Sequence, residues 1–366
     1  MIVEALAGRY GQYTNKIYTR LGKAHSRLFY ITEAKDWSIK WDARYITGGL
    51  RKQNLIKVRI TVSPRGIHDQ ILHFGSRNLF LPDAWANVDT GNNIVFTWYH
   101  GTEKDASAAE MAMIGALPGA AKRADVVHTA CALSRTRLTD WGVPEEKIVI
   151  VPIGVDLNLF KPVSDYQRQS IRQKLGLPRN KVIIGSFQKD GVGWGEGIEP
   201  KWIKGPDVFL EVMRKLKEKH DLFVLLTGPA RGYVKKGLNM LNIPYKHFYL
   251  KDYRRMPDFY HALDLYLVTS REEGGPRSVL EAMASGVPLV STRVGMAIDV
   301  VRNGFHGLLA DPEDVDTLAK MADRVIADRD MAHQLAGNSL IDIQDYSWEN
   351  IAMQYYNKIY RRFLYG

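Results

Sequence analysis

Two carboxylates, Glu273 and Glu281, stand in the stretch SREEGGPRSVLEAMASGVPLVST from Ser270 to Thr292 with seven residues between them. Gly274 and Gly275 make a turn after the first. Pro276 suits the first position of a helix, where its missing N–H would have had no partner. Val279, Leu280, Met283 and Ala284 then share the buried side of that helix, and Glu281 falls in its second turn. The free N–H groups and positive dipole end of the helix suit a phosphate. Taken alone, the pair also fits a plainer reading, in which Glu273 complements the dipole and Glu281 is a solvated helix residue.

Three other positions carry chemistry. Between Phe187 and Gly205 runs QKDGVGWGEGIEPKWIK, bracketed by Lys189 and Lys204. Each is a compact cation suited to a phosphate, although a lone lysine is more often a solvated surface residue. The alternating glycines 191, 193, 195 and 197 do not satisfy the G-x-G-x-x-G of a dinucleotide site. The connection reads instead as a flexible lid with Trp194 and Trp202 available to stack or to pack. His100 follows the apolar run IVFTWY, at the carboxyl end of an expected strand, which is where doubly wound sheets bind ligands. A lone histidine is usually structural, and position is what distinguishes this one.

The elements that must hold these residues alternate. RLFYITE (27–33), IKVRITV (56–62), ILHFGS (71–76), NIVFTWYHG (93–101), DVVHTAC and KIVIVPIG read as strands, with a helix over 37–50. After a hinge at 155–170 come KVIIGSF, LFVLLTG, HFYL, LDLYLVT, VPLVST and HGLLA, with a helix over 206–219 whose apolar face is Val208, Phe209, Val212 and Leu216. Ser347 caps a last amphipathic helix running to Leu364. Such alternation predicts parallel, doubly wound α/β sheets in two domains, 1–160 and 161–346, with residues 347–366 packing back on the first.

The 366 residues are enough for two ordinary domains, and 45% apolar with 25% charged residues is average for a globular chain. One cysteine excludes an internal disulfide, and no Cys and His cluster has metal-ligand spacing. Neither a signal-peptide h-region nor a run of membrane-spanning length is visible, so the expected location is cytoplasmic. The net charge of +10 is concentrated early: residues 1–60 hold 12 Lys and Arg against 4 Asp and Glu. Over residues 1–27 apolar and basic positions take separate faces of an expected helix. Packing on its own domain and peripheral docking of residues 1–24 to an anionic membrane both fit. No nucleic-acid partner is expected.

EEGGPRSVLEAMASGVPLVST, followed by Val294, Gly295 and NGFHGLL, resembles the donor site of the retaining glycosyltransferases of family 4, which have the GT-B fold. Glu273 and Glu281 have that family's E-x7-E spacing. VPEEKIVIVPIGVDLNLFKP resembles its interdomain junction, and IKGPDVFLEV its lysine-glycine helix start. The resemblance covers roughly residues 93–363. It implies two Rossmann-like domains facing a cleft, with a C-terminal helix crossing back. It also implies transfer of a sugar from a nucleoside diphosphate sugar, with retained configuration and neither metal nor cofactor, to a glycan, lipid-linked or other small acceptor. Glu281 would hold the ribose hydroxyls and Glu273 the sugar hydroxyls. Lys204 and the N–H groups from Gly274 through Gly275 and Arg277 to Ser278 would take the diphosphate, and His100 would touch the donor sugar.

Three positions depart from the pattern. Ser186 stands where the family usually has arginine, leaving Lys189 or Arg277 to supply that charge. Glu33 to Trp37 replace a glycine-rich loop, and Ile153 replaces a frequent asparagine. Two other functions remain compatible with the residues: a sugar-nucleotide epimerase on the same fold, and a catalytically silent sugar-nucleotide binding or scaffold protein.

Overall fold

The structure, a computed structural model, describes residues 27–34, 38–79, 88, 89, 91–104 and 106–364. The basic helix expected at the start of the chain and its membrane contact lie outside the described residues, as do Lys35 to Trp37. Contacts divide the chain into two units, Met1–Gly154 with Ser347–Gly366, and Val155–Tyr346. The sequence reading put this division at 160/161. Val155 N donates to Tyr346 O at 2.9 Å, and the Phe160 ring lies 5.8 Å from Tyr253 and 5.9 Å from Tyr260. The chain has therefore joined the second unit soon after Gly154.

The first unit has six strands: β1 (Leu28–Ile31), β2 (Val58–Thr61), β3 (Ile71–Phe74), β4 (Asn93–Thr97), β5 (Val126–Thr129) and β6 (Ile148–Ile150). They pair in parallel in the order β2-β1-β3-β4-β5-β6. LFYI, ILHF and VVHT are buried along their whole length, which is why they read as continuous apolar runs with no alternation. Phe29, Ile31, Leu72, Phe74, Ile94 and Phe96 meet Leu117 and Ala121 of the helix Ala108–Arg123 in one core. That helix begins with a reciprocal cap between Ser107 and Glu110.

The C-terminal segment belongs to this first unit. Trp348–Tyr355 is α-helical, Tyr356–Tyr360 widens to a π turn and Arg361–Phe363 tightens to a 3-10 turn, so the expected single helix changes pitch twice. It packs on the helix Ser38–Lys52, with Trp348 stacked on Tyr45 at 5.0 Å and Glu349 paired with Lys52 at 3.2 Å. Beneath it lies a buried polar chain. His128 Nε2 donates to Val151 O at 3.0 Å, which leaves Nδ1 to accept from Thr97 Oγ1 at 2.9 Å. Thr97 in turn accepts from His73 Nε2 at 2.8 Å, and His73 Nδ1 accepts from the Tyr360 hydroxyl at 2.5 Å. The Tyr355 hydroxyl lies 3.0 Å from the same His128 Nε2, and with these proton positions both rings are neutral imidazoles.

The second unit repeats the plan with β7 (Val182–Phe187), β8 (Leu222–Thr227), β9 (Tyr245–Phe248), β10 (Leu265–Val268), β11 (Leu289–Thr292) and β12 (Leu308–Ala310). Its parallel order is β12-β11-β10-β7-β8-β9. The chain starts in the middle with β7, builds outward through β8 and β9, then returns to the other side of β7 with β10. The order reverses between β7 and β10, the position at which doubly wound sheets bind ligands beyond the carboxyl ends of their strands. Val208, Phe209, Val212 and Leu216 of the helix Pro206–Leu216 are buried against Ile184, Val224 and Leu226, as their spacing predicts.

Candidate functional site

Two loops leave the carboxyl ends of β7 and β10 at this reversal, and they carry Lys204 and Glu273. A 3-10 turn, Trp202–Lys204, precedes Gly205, whose left-handed φ of 56° leads into Pro206 at the first position of the helix. A Cβ on Gly205 would lie 2.0 Å from Thr269 O, so only glycine allows the two loops to approach this closely. Ile203 O accepts from Arg271 N at 2.9 Å and Glu272 N at 3.0 Å. Arg271 clamps the same turn from outside: it forks onto Asp207 at 2.8 and 2.6 Å, bonds Trp202 O at 3.0 Å and reaches Glu313 at 2.8 Å. The Arg271 bond and charge hold the Asp207 carboxyl below its usual range.

So positioned, Lys204 Nζ donates to Glu273 Oε1 at 2.5 Å, with the lysine and glutamate side chains only 19% and 12% exposed. Ser270 Oγ donates to the same oxygen at 2.9 Å. Gly274 O accepts from Met296 N at 2.9 Å, and Gly295, with φ of 48°, would place a Cβ 2.6 Å from Glu273 O. The turn that presents Glu273 is therefore held from both sides. Pro276 is the capping residue and not the first helical one, because its ψ of 90° is non-helical; the helix is Arg277–Ala284. Gly274 is buried, whereas Gly275, Arg277 and Ser278 are partly exposed around that helix start.

Glu281 lies deeper than a solvated helix residue would, at 4% exposure. The Tyr253 hydroxyl donates to one carboxylate oxygen, and the Tyr260 hydroxyl donates to the other at 2.8 Å. Burial pushes its carboxyl up, opposed by the charge of Arg277 and by the two tyrosine bonds. Tyr260 packs at 5.0 Å from Phe187 and 5.2 Å from Tyr266, so its ring is fixed as well as its hydroxyl. The sequence reading missed both tyrosines. They stand 28 and 21 positions from Glu281 with no motif to connect them.

The connection after β7 is not the flexible lid its glycines suggest. Lys201 N donates to Asp190 O at 2.7 Å, Val192 N to Glu199 O at 2.9 Å, and Gly191 bridges Pro200. Gly232 N and Tyr233 N, which start the next helix, donate to Glu196 O at 2.6 Å and Gly197 O at 2.8 Å. Buried Asp190 pairs with Arg231 at 2.9 Å. Gly191 and Gly197 serve close packing on Ala230, whose carbonyl oxygen would lie 2.5 and 2.3 Å from a Cβ on them, whereas Gly193 and Gly195 at the tip have nothing within 4 Å. Lys189 Nζ sits 4.1 Å above the ring of Trp194, which is 61% exposed.

Arg231 was not singled out from the sequence. Its guanidinium donates to Ser186 O at 2.7 Å, to Thr227 O at 2.8 Å and to Ser186 Oγ at 3.0 Å. An arginine thus stands beside the serine that departs from the family pattern, but it is fully buried and ties β7 to β8. His100 lies in the first unit beyond β4, where its carbonyl accepts from Arg77 at 2.6 Å. Among the described residues no group of three or more His, Cys, Asp and Glu has metal-binding geometry, and no helix is long and apolar enough to cross a membrane.

With this geometry in place, comparisons with known proteins bear on the same segment. Residues 198–340 match the family described as glycosyl transferases group 1. The chain is similar to mannosylfructose-phosphate synthase of Agrobacterium fabrum, at 31% identity over 195 residues covering 50% of this chain and 40% of that one. It is also similar to D-inositol 3-phosphate glycosyltransferase of Corynebacterium urealyticum, at 28% over 222 residues covering 57% and 50%. The chain spans about half the length of these curated relatives. Among solved structures, HepE of Anabaena in complex with UDP and glucose superposes with a TM-score of 0.73 at 20% identity, covering 90% of this chain and 98% of that one. Sucrose-phosphate synthase of Thermosynechococcus elongatus gives 0.74 at 18%, covering 92% and 98%. These likenesses show the fold: two Rossmann-like domains of the GT-B class.

Proposed function

We propose, from the premise that residues 198–340 belong to the glycosyl transferases group 1 family, that this chain moves a sugar from a nucleoside diphosphate sugar to an acceptor hydroxyl with retained anomeric configuration. The observation that carries this reading is the Lys204–Glu273 pair, held at 2.5 Å beside the start of the helix Arg277–Ala284. Breaking an anomeric C–O bond puts positive charge on the sugar and negative charge on the departing diphosphate. A fixed ammonium and helix N–H groups at the diphosphate lower that barrier. Lys204 has three N–H donors, so Glu273 can orient it through one while another meets the phosphate. Charge compensation of this kind does not call for a metal ion.

Glu273, beside the reacting end, takes the hydroxyls of the donor sugar, and His100 contributes from the first domain. Glu281 takes the ribose hydroxyls on the lone pairs that Tyr253 and Tyr260 leave. Lys189 and Arg277 are the remaining cations near this region for the diphosphate. UDP, present in the HepE complex, is the nucleotide to try first. Docking of residues 1–24 to an anionic membrane is a separate part of the proposal, tested by vesicle binding of the chain with and without them.

The deciding experiment incubates the purified chain with UDP-, GDP- and ADP-sugars and follows nucleotide release with and without candidate acceptors. Release that depends on acceptor in the native chain and disappears in Glu273→Ala supports transfer. Interconversion of the donor without acceptor would establish an epimerase, and binding without turnover a silent binder. The anomeric coupling of the product, read by NMR, tests retention.

A further inference from the structure

β4 lies between β3 and β5 in the first sheet, and the chain leaves regular structure after Thr97 as it carries His100. Carbonyls past a strand end need donors from elsewhere. Three successive ones meet side chains: Ser134 Oγ donates to Tyr99 O at 2.8 Å, Arg77 Nη1 to His100 O at 2.6 Å and Arg137 Nη1 to Gly101 O at 3.1 Å. Arg77 stands in the 3-10 turn Arg77–Leu79 that follows β3, whereas Ser134 and Arg137 stand in the helix Ala132–Asp140 that follows β5. The loop that bears His100 is thus gripped from both neighbours of its own strand.

Arg77 is held in its turn, and its side chain is only 14% exposed. Its Nη2 donates to Glu110 Oε1 at 3.2 Å, while Glu110 Oε2 accepts from Ser107 N at 3.1 Å in the cap of the helix Ala108–Arg123. The guanidinium lies 5.1 Å from the ring centroid of buried Trp98. A Cβ on Gly101 would come 2.8 Å from Arg77 Nη1, so any side chain at that position would displace the guanidinium. Fixing an arginine gives up as much rotamer freedom as any residue type can lose, and a loop that merely joins a strand to a helix has no need of such restraint.

We propose that Arg77 is the positioning residue of His100, fixing the backbone from which the imidazole is presented to the donor sugar. This rests on the transfer reaction proposed above, in which His100 meets that sugar. Arg77 itself touches no substrate and acts by narrowing where the imidazole can be. A misplacement of about 1 Å in a reacting geometry lowers turnover on the order of 100-fold, so the restraint has a kinetic consequence.

A double-mutant cycle on the full chain tests this, with kcat measured for the native chain, Arg77→Ala, His100→Ala and the double variant, using radiolabelled donor so that slow variants stay measurable. Arg77→Ala should lower kcat about 10- to 100-fold in the native background and less than about twofold where His100 is already alanine, because its effect passes through the imidazole. Arg77→Lys, which can still reach one carbonyl, should recover part of the loss, and UDP affinity should change less than about twofold in each variant. Equal effects in both backgrounds, no loss in either single variant, or a fall in UDP affinity that matches the fall in kcat overturns the proposal. Should Arg77→Ala not fold, Gly101→Ala enters the same cycle, since it keeps the arginine and displaces its guanidinium. A native chain that transfers sugar from no donor would end the transferase reading and this role with it, whereas an active chain in which the two changes act independently ends this role alone.

Discussion

Lys204 Nζ lies 2.5 Å from Glu273 Oε1, although 68 residues separate them in the chain and they sit on loops from different strands. The pair is partly buried and its two loops are joined through backbone bonds to Ile203 O. Neither side chain has to be ordered when a substrate arrives.

Removing the ammonium should therefore act on turnover. Lys204→Ala is expected to lower kcat by roughly 100- to 1000-fold, the effect of losing one donor to a developing negative charge. Steady-state kinetics with the active donor check this, and a change confined to KM would contradict the assigned role.

Glu281 should behave differently from Glu273. Tyr253→Phe together with Tyr260→Phe leaves the buried Glu281 carboxylate without its two donors, which pushes its carboxyl further up and disturbs the oxygens offered to the ribose. The expected result is UDP affinity weakened by about tenfold or more, with kcat at saturation changed less. Calorimetry with UDP alone separates this from an effect on chemistry.

Gly205 gives a prediction about stability. Gly205→Ala puts a side chain in the left-handed region and 2.0 Å from Thr269 O. The conformation alone costs about 1–2 kcal/mol, and the contact forces the two loops apart. Denaturant unfolding should show a loss of at least that size, and activity should fall with it because the Lys204–Glu273 distance is set there.

Asp190 and Arg231 form the buried pair that anchors the glycine-rich loop. Burial pushes the Asp190 carboxyl up and the charge of Arg231 opposes it. Asp190→Ala strands a fully buried guanidinium and should cost about 3–5 kcal/mol, whereas an exposed change such as Trp194→Ala should cost little. Comparing the two variants by chemical unfolding distinguishes an anchored loop from an open lid.

The histidines under the C-terminal segment set an acid limit. Burial lowers His73 well below its usual range and lowers His128 to about 4. A histidine harder to protonate in the folded state than in the unfolded one contributes its full stability above about pH 6.5. That contribution is lost as pH falls from there toward the folded value. Each ring should cost about 1.4 kcal/mol per pH unit across that window. Unfolding midpoints at pH 7.5 and 5 measure the slope, and a stability that is flat or rises on acidification would rule the arrangement out.

Much of the scaffold was legible because it depends on short-range pattern. Strands such as LFYI and LYLV are buried on both faces and so are written as apolar runs, while the helix Pro206–Leu216 shows its buried face in Val208, Phe209, Val212 and Leu216. The spacing of Glu273 and Glu281 and the Lys204–Gly205 step are local as well. By itself the sequence determined two doubly wound units and the loops from which chemistry would be presented.

Tertiary structure decided what surrounds those residues. Nothing periodic links Tyr253 and Tyr260 to Glu281, Arg231 to Asp190, or His73 to Thr97, His128 and Tyr360, because each contact closes across strands whose order the local pattern does not state. The same cause explains the glycine-rich loop. Alternating glycines read as freedom in isolation, yet Gly197 is glycine because Ala230 from a neighbouring strand's loop passes within 2.3 Å of where its Cβ would be. Composition records which residue stands at a position, and only the packed neighbours determine whether it is there for motion or for contact.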